Sequence, residues 1–332
     1  MKKKWMLSSL LAMMKWRKLF NNPIYSSLEN NTVSKYKTIS GKSRALVAGW
    51  FSYPDRKATF GDIEAKDVVC RWLTEARIQY DVAGDKANRI DGVTISDVDP
   101  QKYNIFIFVC GPWAPDQQIL SKFHHCFKIG VNLSVENEGS EGFDYLLPRD
   151  SPCEHYPDIV FSSNSSFVPV VGIVLVHPQP LYGKRQRHQQ VKNIVDELLD
   201  KKDIAPIWLD TLLVNNAGCL SITSQFESII RKTDFVISTR LHGMVFAIKN
   251  GVPVIAIDPV YGGAKITAQA KALGWPLVLN GDDLTIKNLE NAMSLCLSGA
   301  MSREVVKCNQ QARKKNLIIK NRIMDLLKKH DI

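Results

Sequence analysis

DFVISTRLHGMVFAIKNGVPVIAID, residues 234–258, decides the fold. Its first segment, DFVIST, is apolar and closes on hydroxyl side chains. From near Gly243 to Asn250 the apolar residues return at helical spacing, and Gly251 and Pro253 then interrupt the run. VPVIAID is a second apolar strand. Two such strands joined by a short helix describe a parallel β-α-β unit covered on both faces.

The same alternation extends outward in both directions. Upstream stand VPVVGIVLVHP (168–178), a helix candidate over 187–202, IAPIWLD, and a helix near 223–232. Downstream a helix is expected near 262–273. The first half repeats the scheme with ALVAGWF (45–51), a helix over 63–78 with Val68, Val69, Trp72 and Leu73 on one side, NIFIFVCG (104–111) and FKIGVNLSVE (127–136). Between the halves, residues 148–166 turn Pro- and Ser-rich, which marks a boundary. The expected class is α/β, with two Rossmann-like, GT-B-like lobes whose parallel sheets face a central cleft. The lobes are expected over 44–166 and 167–302, after a basic tail (1–43) and before a basic C-terminal helix (303–332) that has Leu317, Ile318, Ile323 and Leu327 to pack.

At 332 residues, 45% hydrophobic and 23% charged, the chain has the composition of a globular protein. Seven cysteines without a C-x-x-C pair argue against a disulfide framework or a zinc cage and suit a reducing cytoplasm. The net charge of +10 is unevenly placed. Residues 1–44 carry +9 and residues 303–332 carry +6, leaving −5 for the stretch between them. A nucleic-acid reader carries its basic footprint on a folded face, so that class is disfavoured.

The N-terminal KKKWMLSSLLAMMKWRKLF (2–20) reads first as a mobile basic tail. Its lysines and arginines beside Trp5, Trp16 and Phe20 also suit peripheral contact with the inner face of an anionic membrane. A cleaved signal is a third reading, weakened because Lys15, Arg17 and Lys18 follow the apolar run and no A-x-A-like site does.

Chemistry is expected where strands end. Arg240, Leu241 and His242 stand between the strand ending at Thr239 and the helix after it. Arg offers a planar fork for a carboxylate or phosphate, His moves protons near neutral pH, and a helix N-terminus favours an anion. An Arg paired with a nearby Asp, and a His that merely fills the helix start, fits the spacing equally well. HPQPLYGKRQRH (177–188) adds His177, Lys184, Arg185 and Arg187, read either as a solvated basic loop or as a further source of cations. Asp62, before the first-lobe helix, is a helix cap or a cleft-facing carboxylate. Gly262-Gly263 makes a turn or lets the backbone approach a phosphate. His124-His125-Cys126 diverge on a helix and are not expected to hold a metal. The acidic run Glu136, Glu138, Glu141 and Asp144 reads as solvated.

The string S-T-R-L-H-G followed by a helix and G-V-P-V-I-A-I-D resembles the polysaccharide pyruvyl transferase family. The likeness extends to Gly61-Asp62, to Gly111 after a strand, to Arg149-Asp150-Ser151, and to Lys265 within YGGAKI. It departs at CGPW (110–113), where Pro112 removes an N–H donor, and in YPDRKATFGD (53–62), which lacks the family's asparagine. The resemblance implies transfer of the pyruvyl group of phosphoenolpyruvate to a sugar of a polysaccharide or lipid-linked glycan as a ketal, releasing phosphate. It implies His242 and Arg240 as catalytic residues and Arg240, Leu241, Arg185 and Lys265 as the donor site. Asp62 falls to the acceptor. Neither a cofactor nor a metal is implied, with phosphoenolpyruvate as co-substrate. Two alternatives stand beside it: a GT-B-type nucleotide-sugar glycosyltransferase, which needs a ribose-holding carboxylate near 258–265 where Asp258 alone qualifies, and a non-catalytic glycan-binding relative.

Overall fold

The computed structural model describes residues 43–51, 58–84, 93–113, 117–135, 142–152, 154–213, 218 and 220–330. The chain divides into two compact units between Ser165 and Ser166. Residues 1–42, and with them nearly all of the expected basic tail, lie outside the described residues. So do 53–57 of the YPDRKATFGD stretch and Glu136, Glu138 and Glu141 of the acidic run.

In the first unit, β1 (Arg44–Ala48), β2 (Gln79–Ala83), β3 (Ile105–Val109), β4 (Phe127–Val131) and β5 (Tyr145–Leu147) form one parallel sheet in the order β2-β1-β3-β4-β5. The helices are α1 (Phe60–Glu75) and the short α2 (Gln117–Lys122). Central strands must be apolar on both faces, and IFIFV supplies this: Phe106 and Phe108 are fully buried, with Phe106 stacked on Phe123 at 4.5 Å. Helix α1 buries Val68, Val69 and Leu73 as its spacing requires, but Trp72 lies half open at its edge.

The second unit repeats the plan with β6 (Val170–Val174), α3 (His188–Lys201), β7 (Ala205–Trp208), α4 (Thr223–Ile230), β8 (Phe235–Ser238), α5 (Leu241–Lys249), β9 (Val254–Asp258), α6 (Lys265–Leu273) and β10 (Val278–Asn280). Two helices follow, α7 (Ile286–Leu297) and α8 (Ser302–Lys329). The sheet order is β10-β9-β8-β6-β7, all parallel. Counted within each unit, both sheets therefore run second, first, third, fourth, fifth. The winding direction reverses between the first and third strands, and ligands of doubly wound sheets sit at that reversal, outside the strands' carboxyl ends. In the second unit this point lies between β6 and β8.

Three sequence expectations change here. Helix α1 runs over Phe60–Glu75 rather than 63–78, so Asp62 lies inside its first turn and Thr59 is the cap. Helix α5 opens at Leu241 rather than near Gly243, because the β8 backbone turns at Thr239 and Arg240 already serves as the residue before the helix. Helix α8 packs only by its first turns. Val305 and Cys308 are buried, and the Asn309 amide donates to the carbonyls of Ile248 and Lys249. Leu317, Ile318, Ile323 and Leu327 are exposed instead of packed, because the helix runs on past α5 and α6, the elements it contacts.

Candidate functional site

Ser238 and Gly243 set the loop between β8 and α5. The Ser238 hydroxyl accepts from Arg240 N at 3.1 Å and donates to Arg240 O at 2.8 Å, closing a tight turn on the last strand residue. Thr239 N donates to Val174 O at 3.0 Å, and the Thr239 hydroxyl accepts from Val176 N at 2.7 Å, so the ends of β6 and β8 are tied together. Gly243 lets the helix descend onto this turn. A Cβ there would overlap Ser238 Oγ and stand 2.9 Å from Val174 Cγ1.

This turn presents Arg240, Leu241 and His242 to a cavity of about 170 Å³ that Lys265, Thr239, Gln179 and Tyr182 also line. The cavity sits over the β6/β8 reversal, where the topology places a ligand. Arg240 and Lys265 bring two cations to it, and the opening turn of α5 adds the partial positive charge of unsatisfied N–H groups. His242 is exposed; its ring lies 6.4 Å from that of Phe246. Leu241 is half-buried and packs on the core of the second unit.

Asp210, at the carboxyl end of β7, was not singled out by sequence. Its Oδ1 lies 3.1 Å from Arg240 Nη2 and its Oδ2 lies 3.2 Å from His177 Nε2, so one carboxylate bridges both. The Arg240 and Asp210 side chains are only 14% and 15% exposed. The signal was available in IAPIWLD, a strand ending in a carboxylate, by the same strand-end rule that picked out Arg240.

Asp258 also lines the cavity but is 1% exposed, and its oxygens are taken. Oδ2 accepts from Ala264 N (2.7 Å), Thr267 N (3.0 Å) and the Thr267 hydroxyl (2.8 Å), and Oδ1 accepts from Val260 N (3.3 Å). The carboxylate thus caps α6 and fixes Lys265, its first residue. Gly262 and Gly263 take positive φ in the turn just before it.

Arg185 stands apart from these. Its Nε and Nη2 donate to Tyr261 O at 3.1 and 2.8 Å, and Nη2 also donates to Gly263 O at 3.2 Å. Arg187 pairs with Asp282 at 3.1 Å and lies over the Tyr261 ring. These arginines stitch the loop after β6 to the turn after β9. In the first unit, Asp62 completes a capping box: its Oδ2 accepts from Thr59 N at 2.7 Å while Asp62 N donates to the Thr59 hydroxyl at 3.3 Å. Arg149 meets Asp158 at 3.3 Å and Ser134 Oγ at 2.7 Å. The His125 ring sits between the carbonyls of Pro100 and Tyr103.

Neighbouring this cavity is a second one of about 300 Å³, sharing Val176 and Thr239 with it and lined by Leu175, Trp208, Asp210 and His188. His188, the first residue of α3, is 7% exposed, and neither ring nitrogen has a hydrogen-bond partner among the described residues. Burial holds its pKa below the usual 6.5, with the Asp258 charge partly opposing.

Among solved structures, the spinosyn rhamnosyltransferase SpnG in complex with thymidine diphosphate is 10% identical over 81% of this chain and 95% of its own, at a TM-score of 0.31. The spinosyn forosaminyltransferase SpnP is 13% identical over 86% and 99%, at 0.32. The UDP-GlcNAc 2-epimerase of Methanocaldococcus jannaschii, in complex with UDP-GlcNAc and UDP, is 10% identical over 77% and 92%, at 0.29. Likenesses this distant carry no argument about chemistry. No curated protein matches the chain in sequence. A family model does, and it spans the R-L-H turn: residues 142–259 match the polysaccharide pyruvyl transferase family, the one that S-T-R-L-H-G resembles.

Proposed function

We propose that the protein transfers the pyruvyl group of phosphoenolpyruvate to a sugar, forming a ketal and releasing phosphate. The observation that carries this reading is the joint lining of one cavity by Arg240, Leu241, His242 and Lys265 at the β6/β8 reversal, inside or just beyond the family-matched segment. Phosphoenolpyruvate carries a carboxylate and a phosphate on one carbon. It therefore asks for two cations close together, which Arg240 and Lys265 supply.

The reaction adds a proton to C3 of the enol and makes C2 electrophilic. One sugar hydroxyl bonds to C2, giving a tetrahedral carbon that still bears phosphate. The C2–O bond to phosphate breaks with its electron pair on phosphate, and a second hydroxyl bonds to C2 to close the ketal. Of the two protons the hydroxyls surrender, one balances the proton gained at C3 and the other leaves with phosphate. His242 serves this as general acid at C3 or as general base toward a hydroxyl. Arg240 holds the donor by charge-assisted bonds and offsets charge building on the departing phosphate.

Arg185 enters this reading less directly than the resemblance implied, since its donors face backbone carbonyls. In the same way, Asp62 has its carboxylate in a helix cap. The nucleotide-sugar alternative required Asp258 for a ribose, and that carboxylate is buried against four donors. Release of inorganic phosphate from phosphoenolpyruvate, measured against a panel of galactosides and hexosamine glycans, tests the proposal. Acceptor-dependent release supports it. Consumption of a nucleotide sugar without such release refutes it.

A further inference from the structure

The second half of α8 is an amphipathic surface that its own unit leaves uncovered. At 3.6 residues per turn, Leu317, Ile319, Ile323, Met324, Leu326 and Leu327 share about one half of the helix circumference. They are 36–58% exposed. Lys314, Lys315, Arg322, Lys328 and Lys329 occupy the opposite half together with Ile318, while Arg313 and Lys320 sit within the apolar half. From 313 to 329 the helix therefore carries seven basic side chains against one acid, Asp325.

We propose that this half-helix lies on an anionic phospholipid surface, with the Ile319–Ile323–Leu327 side in the acyl boundary and the basic residues among the headgroups. Charge selects this occupant. A second copy of α8 laid on the apolar half would bring two strongly positive helices together and bury Lys320 in the seam. At a lipid interface Lys320 and Arg313 extend their stems along the apolar surface and reach the phosphates, while the flanking lysines meet lipid charge of opposite sign. No helix among the described residues is long and apolar enough to cross a membrane, so this contact would be peripheral. The inference is independent of the pyruvyl reading, because it rests on helix composition and exposure alone.

The experiment is co-sedimentation of the full chain with vesicles of phosphatidylcholine alone and of phosphatidylcholine mixed with phosphatidylglycerol. Binding to the mixed vesicles only, weakened by added salt, is expected. The double variant I323E/L326E should bind at least tenfold more weakly, with unchanged melting temperature and unchanged turnover of soluble substrates. Equal binding by that variant would overturn the proposal and assign vesicle affinity to another part of the chain. A stable dimer in solution that the double variant dissociates would overturn it as well, in favour of a second copy on this face. Absence of any preference for the anionic vesicles has the same consequence.

Discussion

The Arg240 guanidinium is held on one side by Asp210, Nη2 to Oδ1 at 3.1 Å, while the other Asp210 oxygen faces His177 at 3.2 Å. Two opposed effects follow. As a counter-charge, Asp210 lowers the pull of Arg240 on an anion; as a strut, it limits where the guanidinium can lie. Orientation is expected to dominate, because the same carboxylate also meets His177 and is thereby held in position. Asp210→Asn keeps the shape and removes the charge, and is expected to raise the donor KM about tenfold, a loss of roughly 1.4 kcal/mol. A lowered KM would show Asp210 acting as a counter-charge instead. Arg240→Lys should raise the donor KM further, since a point charge replaces the fork.

His242→Ala should reduce turnover by about 10²–10⁴, the usual contribution of a positioned acid or base. The ring is exposed and meets Phe246 only at a centroid distance of 6.4 Å, so the melting temperature should stay within a few degrees of wild type. Full activity in this variant, read by phosphate release, would remove the proton-transfer role.

How much of this was legible beforehand depended on how local the signal was. Apolar runs gave the position of β1, β3, β6, β8 and β9, because central parallel strands are apolar along most of their length. The edge strands β2, β5 and β10, with QYDVA, YLL and VLN, lack such a run, so periodicity passes over them. That Arg240, Leu241 and His242 line one cavity could be anticipated because strand ends and helix starts are visible in sequence, and Lys265, which lines it too, came from the family resemblance. What Arg185 and Asp258 do was not legible, because their partners, the Thr267 hydroxyl apart, are the carbonyls of 261 and 263 and the amides of 260, 264 and 267, backbone groups that no residue identity announces. Trp72 and the far part of α8 misled for a different reason: apolar spacing predicts a face, not whether anything lies against it.

Gly243→Ala separates packing from chemistry. The added methyl would overlap Ser238 Oγ, the hydroxyl that closes the turn below Arg240. Helix α5 must then lift or the hydroxyl must rotate, at a cost of about 1–3 kcal/mol for overpacking. Activity should fall with stability, since the same hydroxyl positions Arg240. Thermal unfolding and donor KM measured together check this, and a variant of wild-type stability and KM would contradict the described approach of α5 to β8.

His188 offers a pH test away from the reacting groups. Its ring is buried with both nitrogens unpartnered, and burial places its folded pKa below the 6.5 of the free side chain. The unfolded chain then binds a proton more readily than the folded one, so stability is full above about pH 6.5 and declines as pH falls from there toward the folded value. His188→Leu removes both the titration and an unsatisfied polar group worth about 1–3 kcal/mol when buried. The variant should therefore melt about 2–4 °C higher than wild type at pH 8 for each kilocalorie recovered, and by a larger margin at pH 5. The widening of that margin on acidification is the diagnostic result. A constant margin would mean that the imidazole gains a partner or a proton path on folding, and that the cavity beside α3 is wetter than its apolar walls imply.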